Sequence, residues 1–149
     1  MNTRKTGTLT VLLFLLSLSV LGQTNPPPMA MPKDSNVILV DRIIEVTKHK
    51  EYFIDYCTKK VKSYAQENNW STDKTNEILE SIKFKDYNST IYNSYAFYTK
   101  EQLNKLLDAL TLLNSGKKTN FMVLTNSMMQ SNLDLFVNSI IKGDYVTKK

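Results

Sequence analysis

His49 and Cys57 are the only histidine and the only cysteine in a chain of 149 residues. They are the pair from which nucleophilic catalysis would have to be assembled, an imidazole taking the proton of a thiol that then attacks. Such a pair needs a break in the chain that folds the two together, and no third orienting group accompanies them. Zinc normally takes several His or Cys ligands, and the helical pattern HExxH is absent. His49 lies between Lys48 and Lys50, where two helices are expected to meet, and reads as a surface histidine. Cys57 shares an apolar stripe with Phe53 and Val61 and reads as a buried, inert thiol.

Other groups are weaker chemical candidates. Asp73, Glu77 and Glu80 would fall along one helix edge, as a cation site or an acid–base pair requires. Lys74 and Lys83 lie close to them and no Asp-rich loop is present, so a solvated face is expected. Tyr87, Tyr92, Tyr95, Phe97 and Tyr98 crowd one short stretch. Rings with hydroxyl tips can line a sugar or peptide groove. Tyr87, Tyr95 and Tyr98 follow a core stripe; Tyr92 and Phe97 lie off it and are the candidate partner-binding aromatics. The triplets Asn69-Trp70-Ser71 and Asn88-Ser89-Thr90 have the form of glycosylation acceptors, relevant only in a eukaryotic secretory pathway. There is no Gly-rich phosphate loop and no GxSxG. The residues thus nominate no catalytic group, no metal ligand and no cofactor.

Composition narrows the class further. "MNTRK", "LTVLLFLLSLSV" and "LGQTNPPPM" follow the basic, apolar and polar layout of a secretory signal peptide. The apolar core is shorter than the ~20 residues that span a bilayer. Val20 and Gly22 suit cleavage before Gln23, which would leave no stable membrane anchor. The net charge of +5 includes Arg4 and Lys5. Removing residues 1–22 leaves a mild balance without the basic stripe of a nucleic-acid binder. One cysteine cannot close an internal disulfide, so an exported domain must rest on its apolar core.

All four prolines fall between Pro26 and Pro32, which marks residues 23–34 as an extended leader. From Ser35 onward Gly116 and Gly143 are the only glycines. So few breakers over residues 35–149 predict one all-α domain of about five antiparallel helices. The first helix should be capped at Asp34 to Asn36 and bury Val37, Val40, Ile43, Ile44 and Thr47. The second should bury Phe53, Cys57, Val61 and Tyr64. Ser71 should cap a third, with Ile78, Leu79 and Ile82 inward, continuing through a kink near Phe84 to Asn88. Thr99 and Gln102 form a capping box for a helix with Leu103, Leu106, Leu107, Leu110 and Leu113 on one face. Gly116 should take the left-handed conformation at its end. A last helix should start at Lys117 and bury Phe121, Leu124, Met128, Leu135 and Ile140, with Met129, Phe136 and Val137 adjacent. "VILV" and "FMVL" are β-branched but lack nearby turn signals.

From Ile91 to about Ile140 the chain resembles a family of short secreted bacterial proteins known as a domain of unknown function. "AFYTKEQLNKLLDAL" and "SGKKTNFMVLTNSMMQ" stand where that family has an F-T-x-x-E-L-like turn, a leucine helix, a G-K-K or G-Q-K break and a long final helix. Tyr98 is inserted between Phe97 and Thr99, and Gln102 replaces the usual acid. Leu110 and Asn114 stand where an aromatic pair and a proline turn are usual. The resemblance implies an all-α fold and export, and brings no catalytic residue. The expectation is an exported, periplasmic or secreted, non-catalytic module that binds an unknown protein partner. The alternatives are a periplasmic inhibitor or immunity-type protein, with Lys59, Lys60, Lys62 or Lys117, Lys118 meeting an acidic cleft, and an enzyme acting on cell-wall sugars. Tyr92, Phe97, Lys117 and Lys118 are the candidate partner-binding residues; Thr99, Gln102 and Gly116 are structural.

Overall fold

A computed structural model describes residues 30–143. The expected signal peptide, its cleavage site and most of the proline-rich leader lie outside the described residues. Within them the chain is all-helical and contains no strand. Six α-helices follow in order: α1 Asp34–Val46, α2 His49–Glu67, α3 Thr72–Glu80, α4 Asn88–Ser94, α5 Lys100–Asn114 and α6 Ser127–Lys142, with a 3-10 turn at Phe84–Asp86 between α3 and α4. No helix among the described residues is long and apolar enough to cross a membrane.

Local chemistry sets several of the ends. Ser71 Oγ accepts the Lys74 amide at 3.2 Å and starts α3. Thr99 Oγ1 accepts the Gln102 amide at 3.2 Å, while the Thr99 amide donates to Gln102 Oε1 at 2.8 Å. This is the complete capping box, two amides that the first turn of a helix would otherwise leave unpaired. The expected cap at Asp34 to Asn36 is not used: Lys33 is the N-cap of α1 and gives no side-chain bond. The single kinked helix expected across residues 71–98 is instead two helices. The polar run Asn88-Ser89-Thr90 has low helix propensity, and the chain breaks before it.

The largest correction concerns α6. It begins at Ser127, not Lys117. Asn126 Oδ1 accepts the Met129 amide at 2.8 Å, a strong N-cap. Asn120 just upstream has positive φ, 55°, which no helix continues. With this start the inner face is Met129, Leu133, Phe136, Val137 and Ile140. Leu124, Met128 and Leu135 are exposed and Phe121 is half-buried. Smaller corrections follow the same pattern: Tyr64, Tyr98 and Leu113 are exposed, Val37, Ile44, Leu79 and Leu106 are half-buried, and Asn36, Leu39 and Ala65 are buried instead.

One core runs through all six helices. Phe53 is fully buried at its centre. Its ring stacks on Tyr87 at 5.1 Å and meets Phe84 and Phe136 at 5.5 and 5.3 Å. Burying a ring of this size is worth about 3 kcal/mol in apolar transfer alone. Val40, Ile43, Ile91, Leu103 and Leu133 complete the layer around it.

The two most informative helix pairs are parallel, contrary to the antiparallel expectation. Asn36 at the start of α1 donates to the Tyr98 carbonyl just before α5, at 3.0 Å. Asn114 at the end of α5 donates to the Val46 carbonyl at the end of α1, at 3.1 Å. Start meets start and end meets end. On α2 and α6, Tyr52 donates to Gln130 and Tyr56, four residues on, donates to Asp134, four residues on. Short loops impose antiparallel order only on consecutive helices; these pairs are separated by several intervening elements.

Candidate functional site

The four expected partner-binding residues do not come together. Phe97 lies just before α5, and Lys117 and Lys118 lie just after it. A 15-residue helix holds its ends about 22 Å apart. Tyr92 belongs to neither end: it is half-buried on α4, and its hydroxyl donates to Asp41 of α1. Burial and that carboxylate raise its pKa to about 12. Tyr92 is a strut between two helices rather than a groove residue.

At the start of α5 the chain builds a cleft of about 460 Å³ lined by Lys33, Asn36, Phe97, Tyr98, Thr99 and Lys100. Phe97 is 88% exposed and Tyr98 is 41% exposed. Asn36 is buried beneath them, tied to the Tyr98 carbonyl. The cleft therefore has a fixed polar floor, an apolar ring at its rim and an ammonium group on each of its two helix starts.

At the other end of α5 the chain leaves through a tight turn. Ser115 has φ −58° and ψ 133°, Gly116 has φ +71°, and the Lys117 amide donates to the Asn114 carbonyl at 3.2 Å. These are the dihedrals of a type II turn, which demands a positive φ at its third residue. Gly116 is thus left-handed as expected, but it turns the chain away from the helix instead of starting the next one. No atom lies within 4 Å of where a Cβ would stand. Asn114 is 7% exposed and makes three bonds. Besides Val46 it donates to the Met122 carbonyl at 3.1 Å and accepts the Met122 amide at 2.7 Å.

His49 overturns its surface reading. It is 2% exposed at the first turn of α2, with Tyr52 edge-on at 5.8 Å. Its Nε2 is buried with no hydrogen-bond partner among the described residues. Burial lowers its pKa to about 4. The flanking lysines stay in water because Lys48 takes a left-handed conformation, φ 52°, at the α1–α2 junction. That one residue swings the histidine inward. Cys57 sits two turns along the same unbroken helix, about 12 Å away by rise. It is fully buried, and desolvation pushes its thiol up to about 12. The geometry therefore assembles no thiol–imidazole pair.

Asp73, Glu77 and Glu80 are all exposed, as expected of a solvated face. No group of three or more His, Cys, Asp or Glu among the described residues is placed to hold a metal ion. The tyrosines Tyr87 and Tyr95 are core, and burial raises both. Tyr87 donates to the Met129 carbonyl at 2.8 Å. Sequence reading missed a polar row across α2 and α6: Tyr56 donates to Asp134, Lys60 lies 4.0 Å from the same carboxylate, and Tyr52 reaches Gln130 at 3.3 Å. Desolvation and Asp134 push Tyr56 to about 12. Tyr52, Tyr56 and Lys60 sit on one helix edge at spacings of four, the signal that could have nominated them.

Comparison with family models, curated proteins and solved structures returns no match to this chain.

Proposed function

We propose that the chain is an exported, non-catalytic helical-bundle module that binds another envelope or secreted protein through the face around Phe97. The observation that carries this reading is the exposure of Phe97, 88%, beside the Tyr98 carbonyl that Asn36 holds. A large ring left in water forgoes about 2 kcal/mol that a partner surface would recover. Lys33 and Lys100 flank it and supply the polar rim that protein interfaces use. The hydroxyls of Tyr52, Tyr56, Tyr87 and Tyr92, of the kind a saccharide groove would use, are each engaged by another part of the chain. The basic, apolar and polar layout of residues 1–29 supports export, and the resemblance of residues 91–140 to a secreted family points the same way.

A photoreactive phenylalanine analogue at position 97, in the full chain expressed with its own leader, tests the reading. One discrete cross-linked adduct with an exported protein is expected, competed away by unlabelled chain. The same analogue at exposed Lys105 should give none. Equal labelling from both positions, or substrate turnover by the pure protein that a single side-chain change abolishes, would overturn the proposal.

A further inference from the structure

Four helix ends meet at one pole of the bundle. Asn114 ties the end of α5 to the Val46 carbonyl at the end of α1. α2 starts at His49, directly after that end. Tyr52 in the first turn of α2 reaches Gln130 in the first turn of α6. Apolar side chains stand in water here: Leu112 is 77% exposed, Leu113 48%, Met122 45%, Leu124 42% and Met128 42%. They come from the last turn of α5, the loop that follows and the first turn of α6. The turn through Gly116 and the Asn114–Met122 bonds hold that loop against the end of α5. Single exposed apolar residues need no explanation, but a group of them at one end does.

Charge and backbone point to what covers this pole. No Asp or Glu occurs from Ala109 to Leu133, a run that holds Lys117 and Lys118. Asp108, the acid before it, lies a full turn back from Leu112. The adjoining α1–α2 junction exposes Lys48 and Lys50 against Glu45 and Glu51, which balance. Asp55, further along α2, is paired with Lys59 at 2.7 Å. The surplus is positive and comes from the two lysines beside the exposed leucines. The backbone is closed where the apolar side chains protrude. Both polar groups of Met122 bond to the Asn114 side chain, and the Leu112 carbonyl accepts the Ser115 amide at 3.2 Å. A protein partner can complete open backbone groups. Hydrocarbon cannot, so a residue entering a bilayer must have them satisfied from within. Met122 meets that demand although it lies outside any helix.

We propose that this pole rests on an anionic lipid bilayer, with Leu112, Leu113, Met122 and Leu124 entering the headgroup boundary and Lys117 and Lys118 meeting the anionic headgroups. The lysine stems lie along the apolar side chains while the ammonium groups stay in the wet layer. The contact is peripheral, since no helix among the described residues is long and apolar enough to cross a membrane. So few side chains give weak, reversible binding. Phe97 lies at the opposite end of α5, about 22 Å away, and stays clear of the lipid.

The full chain carries an apolar run at residues 9–20 that can bind bilayers unaided, so the test reads single positions. A fluorophore that brightens in apolar surroundings is attached at Met122→Cys and, separately, at Phe97→Cys. The native thiol of Cys57 is fully buried. Vesicles of mixed phosphatidylglycerol and phosphatidylcholine should brighten the label at 122 and not the label at 97. Phosphatidylcholine alone should give little response. Lys117→Gln with Lys118→Gln should lower the equilibrium constant of the response about 25-fold, about fivefold for each lysine. Leu112→Ser with Leu124→Ser, both at exposed positions, should abolish it. No brightening at 122, equal brightening at 97, the same response on neutral vesicles, or no effect of the lysine pair would overturn the proposal. Brightening at 122 on adding unlabelled chain or a second protein, with none on vesicles, would assign the pole to that protein and overturn it as well.

Discussion

The two ends of α5 solve the same problem in opposite ways. Its start is closed locally: Thr99 and Gln102 exchange bonds within four residues. Its end is closed at a distance. Asn114 gathers the last carbonyl of α1 and both polar groups of Met122 into one buried amide. The first arrangement survives on its own sequence. The second exists only when three parts of the chain are already in place. Local closure frees the neighbouring loop to present Phe97, whereas long-range closure straightens the following segment into an exposed run.

The contrast can be broken from the Asn114 end, and most severely by acid. His49 adjoins that end through Thr47 and Lys48. Its folded pKa, about 4, lies below the ordinary value of 6.5. The unfolded chain therefore binds more protons between those values, and stability falls as pH drops through that window. The loss from this one group should approach about 3 kcal/mol at pH 4. Urea melts from pH 7 to pH 4 should show it. His49→Phe should flatten that part of the profile; an unchanged profile would show that the imidazole is not buried as a neutral ring.

Asn114→Ala should cost about 2 to 3 kcal/mol, because it removes three bonds and leaves partly buried groups without partners. Asn36→Ala, at the opposite end of the same helix pair, removes one and should cost about 1 kcal/mol. Equal losses in urea melts would erase the asymmetry. Gly116→Val should cost about 1 to 2 kcal/mol. The space for its side chain is open, so the whole penalty is the left-handed backbone of the type II turn. Thr99→Ala should cost about 1 kcal/mol, the ordinary value of an N-cap. The subtlest check is amide exchange in the free protein: the Met122 amide should exchange more slowly than those of Phe121 and Val123.

What could be read in advance follows the same division. The capping box, the Ser71 cap and the positive φ of Gly116 depend on residues within four positions of one another, and the sequence displays them. The stripe Phe53, Cys57 and Val61 is equally local. The Asn126 cap went unread, because the apolar FMVL upstream of it imitates a helix face and pulls the predicted start ten residues too early. The burial of His49 has no local signature. Two flanking lysines argue for solvent, and only the left-handed Lys48 and the packing around Tyr52 decide otherwise. The roles of Asn36 and Asn114 are set by residues more than sixty positions away. No spacing rule reaches that far. The candidate site fared likewise: Phe97 was picked out by falling off a stripe, while the extended course of the chain at Met122 emerges only once Asn114 has found it.

The parallel pairing of α2 with α6 has a consequence for how the molecule comes into being. Tyr52 and Tyr56 reach partners 78 residues further along the chain. Contacts of such long sequence separation are slow to form, because a large loop must close before any of them contributes. A chain delivered from its N-terminus emerges with α1 to α5 complete and Phe53 still lacking the ring of Phe136. The last segment to arrive is the one that seals the centre. Until then the side of Phe53 that Phe136 covers stays open.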